Sequence, residues 1–248
     1  MAHYYYKEDK LMRMYMHAAE AFEEIKRDLA EMGIWVHPKT MQDKDVEGDP
    51  DYESTELQNY CYTILDAKSE EIPGVTQPWA DAEFIERITC PEKDPVTGEI
   101  KFINPGEAWK LRDNVWGEFF HDGKFGYSYN ELLWNNGQLW KIIHRLERDP
   151  ESRQLWISLW DPTRDPDLLG GVSRVPCSLG YAFQVREGKL NMHYVMRSCD
   201  FSTHFPNDVY LAIKLLEYVA RLTGYEVGNF THTIFSLHIY RKDLKGVF

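Results

Sequence analysis

Apolar residues recur along this chain at two different periods, and the change from one to the other predicts its elements. Leu11, Met14, Tyr15, Ala18, Phe22, Ile25 and Leu29 fall at helical spacing, with Gly33 as a stop. Leu57, Tyr60, Cys61, Ile64 and Leu65 repeat that spacing, which predicts a second helix with Ser54 as N-cap and Glu56 in its first turn. Leu139, Ile142, Ile143 and Leu146 predict a third. Further on the period shortens. QLWISLW (154–160) reads as a strand, and GYAFQVR and KLNMHYVMR alternate on either side of Glu187-Gly188 as the arms of a β-hairpin. A last helical run starts near Val209, where Asp208 is a suitable N-cap. The acidic stretch 42–54 predicts an exposed loop, whereas residues 67–107, rich in Pro, Asp and Glu, show no period. Helices mixed with long antiparallel strands predict an α+β architecture, a layer of helices against a large sheet.

Composition narrows the class. A chain of 248 residues with 43% hydrophobic content can bury a sizeable core as a single domain over 1–248. It has no run near the roughly 18 apolar residues of a membrane span, and MAHYYYKEDK lacks the apolar centre of a signal peptide. Four cysteines without regular spacing suggest neither a disulfide scaffold nor a metal site, so a cytoplasmic setting is expected. The net charge of −12 disfavours nucleic acid as a partner and means that an anionic substrate needs a local cluster of arginines.

The chemistry concentrates in RVPCSLGYAFQVREGKLNMHYVMRSCD (174–200). Cys177 opens one arm of the predicted hairpin and Arg197-Ser198 closes the other, so antiparallel pairing brings a soft nucleophile beside a cation. A cation there favours the thiolate and suits a substrate with an anionic handle. The competing reading of a lone cysteine is a small buried core residue.

The order of these residues closely resembles the thymidylate synthase family, in which Pro-Cys precedes a hairpin of this length that ends on Arg-Ser-x-Asp. The resemblance continues through FPND (205–208) and LHIY (237–240) and, more faintly, upstream through DPESR (149–153), FGYSY (125–129), WGEF (116–119) and ELQNY (56–60). About the first fifty residues diverge. The resemblance implies sheets packed back to back in a homodimer, a pyrimidine nucleoside monophosphate as substrate and 5,10-methylenetetrahydrofolate as carbon donor. It implies that Cys177 adds to C6 of the ring, with Glu56 as acid/base helper and Tyr129 beside it. It assigns Arg197, Ser198, Ser178, His238 and Tyr240 to the nucleotide, Arg153 to the partner's nucleotide phosphate, and Asp200 and Trp116 to the folate. Glu56 reads equally well as a glutamate favoured by a helix N-terminus, and His238 and Tyr240 as an ordinary same-face strand pair. Gln154 stands where the family usually has a second arginine, which leaves Arg174 or Lys39 as substitutes.

Asp208 is the sharpest departure, because the family has there an asparagine that reads the uracil edge. A carboxylate only accepts hydrogen bonds and faces uracil O4 with repulsion, whereas cytosine offers an N4 amino donor and an N3 that shares a proton. The same aspartate is the pattern of phage deoxycytidylate hydroxymethylases, which agrees with a phage-encoded enzyme acting in a host cytoplasm. Eight residues follow Tyr240, against a long closing segment in the family; a less enclosed site favours capture of water over hydride, hence a hydroxymethyl product. His204 and Ala182 replace the family's glycine and glutamine near the folate. The sequence leaves open a cytidylate methylase, a uridylate-specific enzyme, a nucleotide-binding relative without turnover, and a Cys177/His238 hydrolase.

Overall fold

The computed structural model describes residues 13–41, 44–170 and 174–247. Seven strands form one mixed sheet: β1 (Met14–Tyr15), β2 (Ile34–Val36), β3 (Ser54–Ile64), β4 (Trp156–Ser158), β5 (Ser178–Arg186), β6 (Lys189–Asp200) and β7 (Glu226–Tyr240). The order is β1-β3-β7-β6-β5-β4, with β2 also pairing β3. Only β1 with β3 and β6 with β7 are parallel pairs. The hairpin turns on Glu187 and Gly188, both at positive φ (52° and 77°), as a two-residue turn between twisted strands requires. The five principal helices are α1 (Ala18–Met32), α2 (Trp79–Ile88), α3 (Tyr129–Trp134), α4 (Gln138–Arg148) and α5 (Phe205–Thr223). The apolar stripe of α1, Phe22, Ile25 and Leu29, is buried with Tyr60, Tyr62 and Ile64 of β3. Phe205 of α5 meets Phe22 at 4.8 Å between ring centroids. The opposite sheet face carries Cys61, Trp156, His193 and Phe235 in exposed positions. No described helix is long and apolar enough to cross a membrane.

Three expectations need correction. The first helix starts at Ala18, because Met14 and Tyr15 pair with Thr63 and Ile64 instead; Leu11 lies outside the described residues. Residues 54–64 form the strand β3, so Ser54 caps no helix and Glu56 sits in no first turn. The cause is a phase slip. Ile64, Tyr62 and Tyr60 face the core, Asn59 turns to φ 51°, and Leu57 and Thr55 then face the core, so one strand mimics a helical period. Asp208 does not cap α5, which already begins at Phe205 behind His204.

The slip runs across the sheet. In β7 the buried side changes from Phe230, His232 and Ile234 to Leu237 and Ile239, and in β6 from Leu190, Met192, Tyr194 and Met196 to Cys199. Pairing is interrupted at Asn59, Arg197 and Phe235 at the same level. A stacked irregularity of this kind re-aims side chains next to it. Here it lies beside the end of the hairpin that holds Cys177.

Candidate active site

Cys177 precedes β5 and packs half-buried against the core. Arg197 holds the opposite end of the hairpin closed. Its backbone N–H donates to Cys177 O at 2.8 Å. Its side chain donates from Nε to Pro176 O at 3.0 Å and from Nη2 to Val175 O at 3.1 Å, and Nη2 stands 3.6 Å from Cys177 Sγ. A guanidinium anchored on two backbone carbonyls is a fixed donor toward the sulfur. Ser178 Oγ bonds Tyr129 Oη at 3.0 Å and also the Tyr194 hydroxyl, so a line of hydroxyls runs inward from beside the thiol.

Cys177 opens into a cavity whose walls come from elements far apart in sequence. The spacing of α2 aims Trp79, Glu83 and Arg87 into it, four residues apart on one helical face. Arg87 is buried, donates from Nε to Glu83 at 2.8 Å and lies 3.9 Å over the Tyr129 ring. Burial opposes its charge, but Glu83, Tyr129 and Tyr181 outweigh burial and raise its pKa. Glu86 is spent differently: it accepts the backbone N–H groups of Glu107 at 2.5 Å and Ala108 at 2.7 Å, pinning the loop over the cavity mouth. Asp208 enters from the first turn of α5, whose start is tied down by the Asn207 side chain accepting from Thr76 N at 2.8 Å. Burial pushes the Asp208 carboxyl up to about 6, against the pull of Arg87, a Cys199 thiol donor at 3.5 Å, and Arg112. Such a group can hold or release a proton near neutrality.

Trp116 stacks with Trp79 at 6.0 Å and faces the His204 ring at 5.7 Å. Arg174 closes this aromatic end, 4.8 Å over Trp116 and 4.3 Å over Phe119. Burial lowers the His204 pKa to about 4, so that ring is neutral at ordinary pH. A cleft walled by Trp79, Trp116 and His204 accepts a flat heteroaromatic ring. Asp200 lies near this end, where it accepts from Ser202 N at 3.0 Å and Oγ at 2.9 Å. The aromatic walls fit the flat ring of a pterin, while the Asp200 carboxylate, bonded to Ser202, lies outside the cavity lining.

The structure thus gathers Cys177, Tyr129, Trp116 and Asp208 on one cavity. Arg197 and Ser178 touch its edge through Cys177 and Tyr129. His238 and Tyr240, 5.1 Å apart between rings, end β7, with His238 directly opposite Asp200. Ser198 is half-buried on β6 at the level of the slip. Arg153 is exposed before the edge strand β4, away from the cavity walls. Glu56 is not brought in: it pairs with His238 across β3 and β7, bonds the Ser236 hydroxyl and takes a donor from Gln58 at 3.2 Å. Helix α2 brings Glu83 to the cavity wall, which sequence reasoning missed because 67–107 shows no extended period; the four-residue spacing of Trp79, Glu83 and Arg87 was its only signal. Neither substitute for a second phosphate arginine stands beside Arg153: Arg174 faces the cavity, and Lys39 pairs with Glu47 at 2.7 Å.

A mixed α+β sheet with a thiol, a fixed guanidinium and a titratable carboxylate around one aromatic cleft is the frame of a nucleophilic enzyme acting on a flat ring. The comparisons sharpen that class. Residues 106–247 match the family model described as thymidylate synthase. A Methanosarcina barkeri protein named "Putative thymidylate synthase" is 30% identical over 224 residues, 87% of this chain and 94% of that protein. One of the same name from Methanosarcina mazei is 35% identical over 195 residues, covering 75% and 82%. The solved thermostable thymidylate synthase A from Bacillus subtilis superposes with a TM-score of 0.69 at 20% identity, over 92% of this chain and 81% of that one. The chain belongs to the thymidylate synthase family. Members of that family are one-carbon transferases that act on a nucleoside monophosphate and take the carbon from methylenetetrahydrofolate.

Proposed function

We propose that the protein hydroxymethylates C5 of a cytosine nucleoside monophosphate, working as a homodimer of one-domain chains. The observation that carries the reading is that Asp208 and Cys177 line one cavity. One carboxyl oxygen accepts from N4–H of cytosine, and the other shares a proton with N3. Protonation at N3 withdraws electrons from C6, so Cys177 Sγ adds there and C5 becomes nucleophilic. Methylenetetrahydrofolate, held by Trp116 and Asp200, supplies the one-carbon unit that C5 takes up. The C5 proton leaves through cavity water, with the Tyr129 and Ser178 hydroxyls as relays, to the carboxylate of Glu83 on the same cavity wall. Water then adds to the exocyclic carbon, the Cys177 bond breaks, and the balance is nucleotide, methylenetetrahydrofolate and water to hydroxymethyl nucleotide and tetrahydrofolate. Glu83, in the place expected of Glu56, holds that water. Glu83 and Arg87 bring polar groups to an otherwise largely aromatic wall, which gives a water partners there and supports hydration over hydride transfer.

Arg197 and Ser198 hold the phosphate, and His238 and Tyr240 the sugar. Burial raises the Tyr240 pKa, with the charges of Asp200 and Cys177 next in effect, which keeps its phenol a hydrogen-bond donor. The direct test is mass spectrometry of products from methylenetetrahydrofolate and an equal mixture of CMP, dCMP, UMP and dUMP. A hydroxymethyl group on a cytosine nucleotide, absent with Cys177→Ala, is the expected result. A methyl group, or modification of uracil alone, would overturn it.

Arg153 on the sheet edge and the exposed opposite face support the dimer, with Arg153 reaching the nucleotide bound by the partner subunit. Arg153→Ala is then expected to weaken nucleotide binding about tenfold, the scale of one charge-assisted contact. Mixing inactive Cys177→Ala with Arg153→Ala subunits should recover activity, since one of the two sites in each hybrid is intact. Strictly additive activities on mixing would show that Arg153 serves its own chain.

A further inference from the structure

We infer that Arg87 is a positioning residue that decides when Asp208 carries its proton, and hence the pH range over which a cytosine ring is bound and activated. The inference rests on the cytidylate reading above. Arg87 touches no substrate atom in that reading. Its Nε is clamped by Glu83 at 2.8 Å and its guanidinium carbon lies 3.9 Å from the centre of the Tyr129 ring, so a buried cation is locked in the cavity that Asp208 enters. A cation held there stabilises the carboxylate over the acid.

The other groups facing Asp208 come from every element around it. Arg112, preceding the Trp116 segment, acts in the same direction as Arg87 but is the weaker of the two. Cys199 of β6 donates its thiol at 3.5 Å, and Asp200 next to it opposes ionisation. Tyr129 of α3, Tyr181 of β5 and Tyr194 of β6 have their pKa values raised by burial, so all three are neutral phenols at ordinary pH. His204, the residue before α5, is neutral as well. Arg87 is therefore the largest pull toward the carboxylate.

The chemistry makes this pull visible. The cytosine complex needs one proton between Asp208 and N3, so an ionised Asp208 takes up a proton on binding. Affinity is then level below the free carboxyl's pKa and falls about tenfold per pH unit above it. Calorimetric titration with dCMP between pH 5.5 and 9 reads that break. Ionisation of the nucleotide phosphate is common to all variants and cancels between them.

Wild type is expected to break near pH 6, and Arg87→Met about one unit higher, which makes it about tenfold tighter relative to wild type at pH 8 than at pH 5.5. Arg87→Lys should return the break toward its original place. A purely structural role would change affinity equally at every pH. If Arg87→Met does not fold, Glu83→Gln serves in its place, because removing the anion beside Arg87 strengthens the pull and moves the break down. A break that stays put in the available variant overturns the role of Arg87. A wild-type profile identical to that of Asp208→Asn would instead overturn the cytidylate reading itself.

Discussion

Replacing Cys177 by serine is expected to stop turnover, with a loss on the order of 10⁴-fold or more. The addition to C6 needs a soft nucleophile, and a serine hydroxyl without a base to deprotonate it does not attack. Among the described residues, none of the groups bonded to Cys177 or Ser178 is such a base. Arg197 Nη2, 3.6 Å from the sulfur, is a donor, and Ser178 is engaged with Tyr129 and Tyr194. Serine accepts the same Arg197 donor at a half-buried position, so stability should change by less than about 1 kcal/mol. Denaturing mass spectrometry should then find a nucleotide bound covalently to the wild-type chain during turnover and none on Cys177→Ser. A serine variant that keeps more than a few per cent of the rate would remove Cys177 from the chemistry.

Asp208→Asn should exchange the base that the enzyme accepts. An amide donates from Nδ2 to O4 and accepts at Oδ1 from N3–H, which completes uracil, but it has no proton to give to N3 of cytosine. Loss of a proton donor matched to its task costs on the order of 10²–10⁴-fold, so turnover of cytidylate should fall by that much while uridylate turnover appears. The pH dependence gives a second readout. Burial holds the Asp208 carboxyl at about 6, so the proton needed at N3 is present below that value and is lost as pH rises through it. Activity of the wild type on cytidylate therefore carries an alkaline limb from this group, and Asp208→Asn should lack it. Steady-state rates on both nucleotides from pH 5.5 to 9 check both outcomes. Unchanged base preference would mean that Asp208 does not face the ring.

Much of this site could be read along the chain. The spacing of Cys177 and Arg197 on the two arms of one hairpin sufficed, since antiparallel register converts sequence distance into contact. The fault with Glu56 was of another kind. Its neighbours Leu57, Tyr60, Cys61 and Ile64 mimic a helical repeat, yet the repeat arises from Asn59 at φ 51°, where the strand changes the face it buries. That conformation is stabilised by matching interruptions in β6 and β7, which lie far away in sequence. Glu83 was invisible for the converse reason: α2 is short and buries a mixed set of Trp79, Phe84 and Arg87, held by Glu83 and Tyr129 and not by an apolar stripe.

Local pattern by itself determined the hairpin, the long helix after it, and a thiol with an arginine beside it, whereas Asp208 was singled out by the resemblance to the thymidylate synthase family. The former are properties of neighbouring residues, set by side-chain period and turn chemistry. What the tertiary structure alone decided is which carboxylates share the cavity and in what state. Asp208 sits near pH 6 because burial opposes its charge while Arg87 and Arg112, distant in sequence, favour it. Desolvation and long-range charge are sums over surroundings that exist only once the chain has folded.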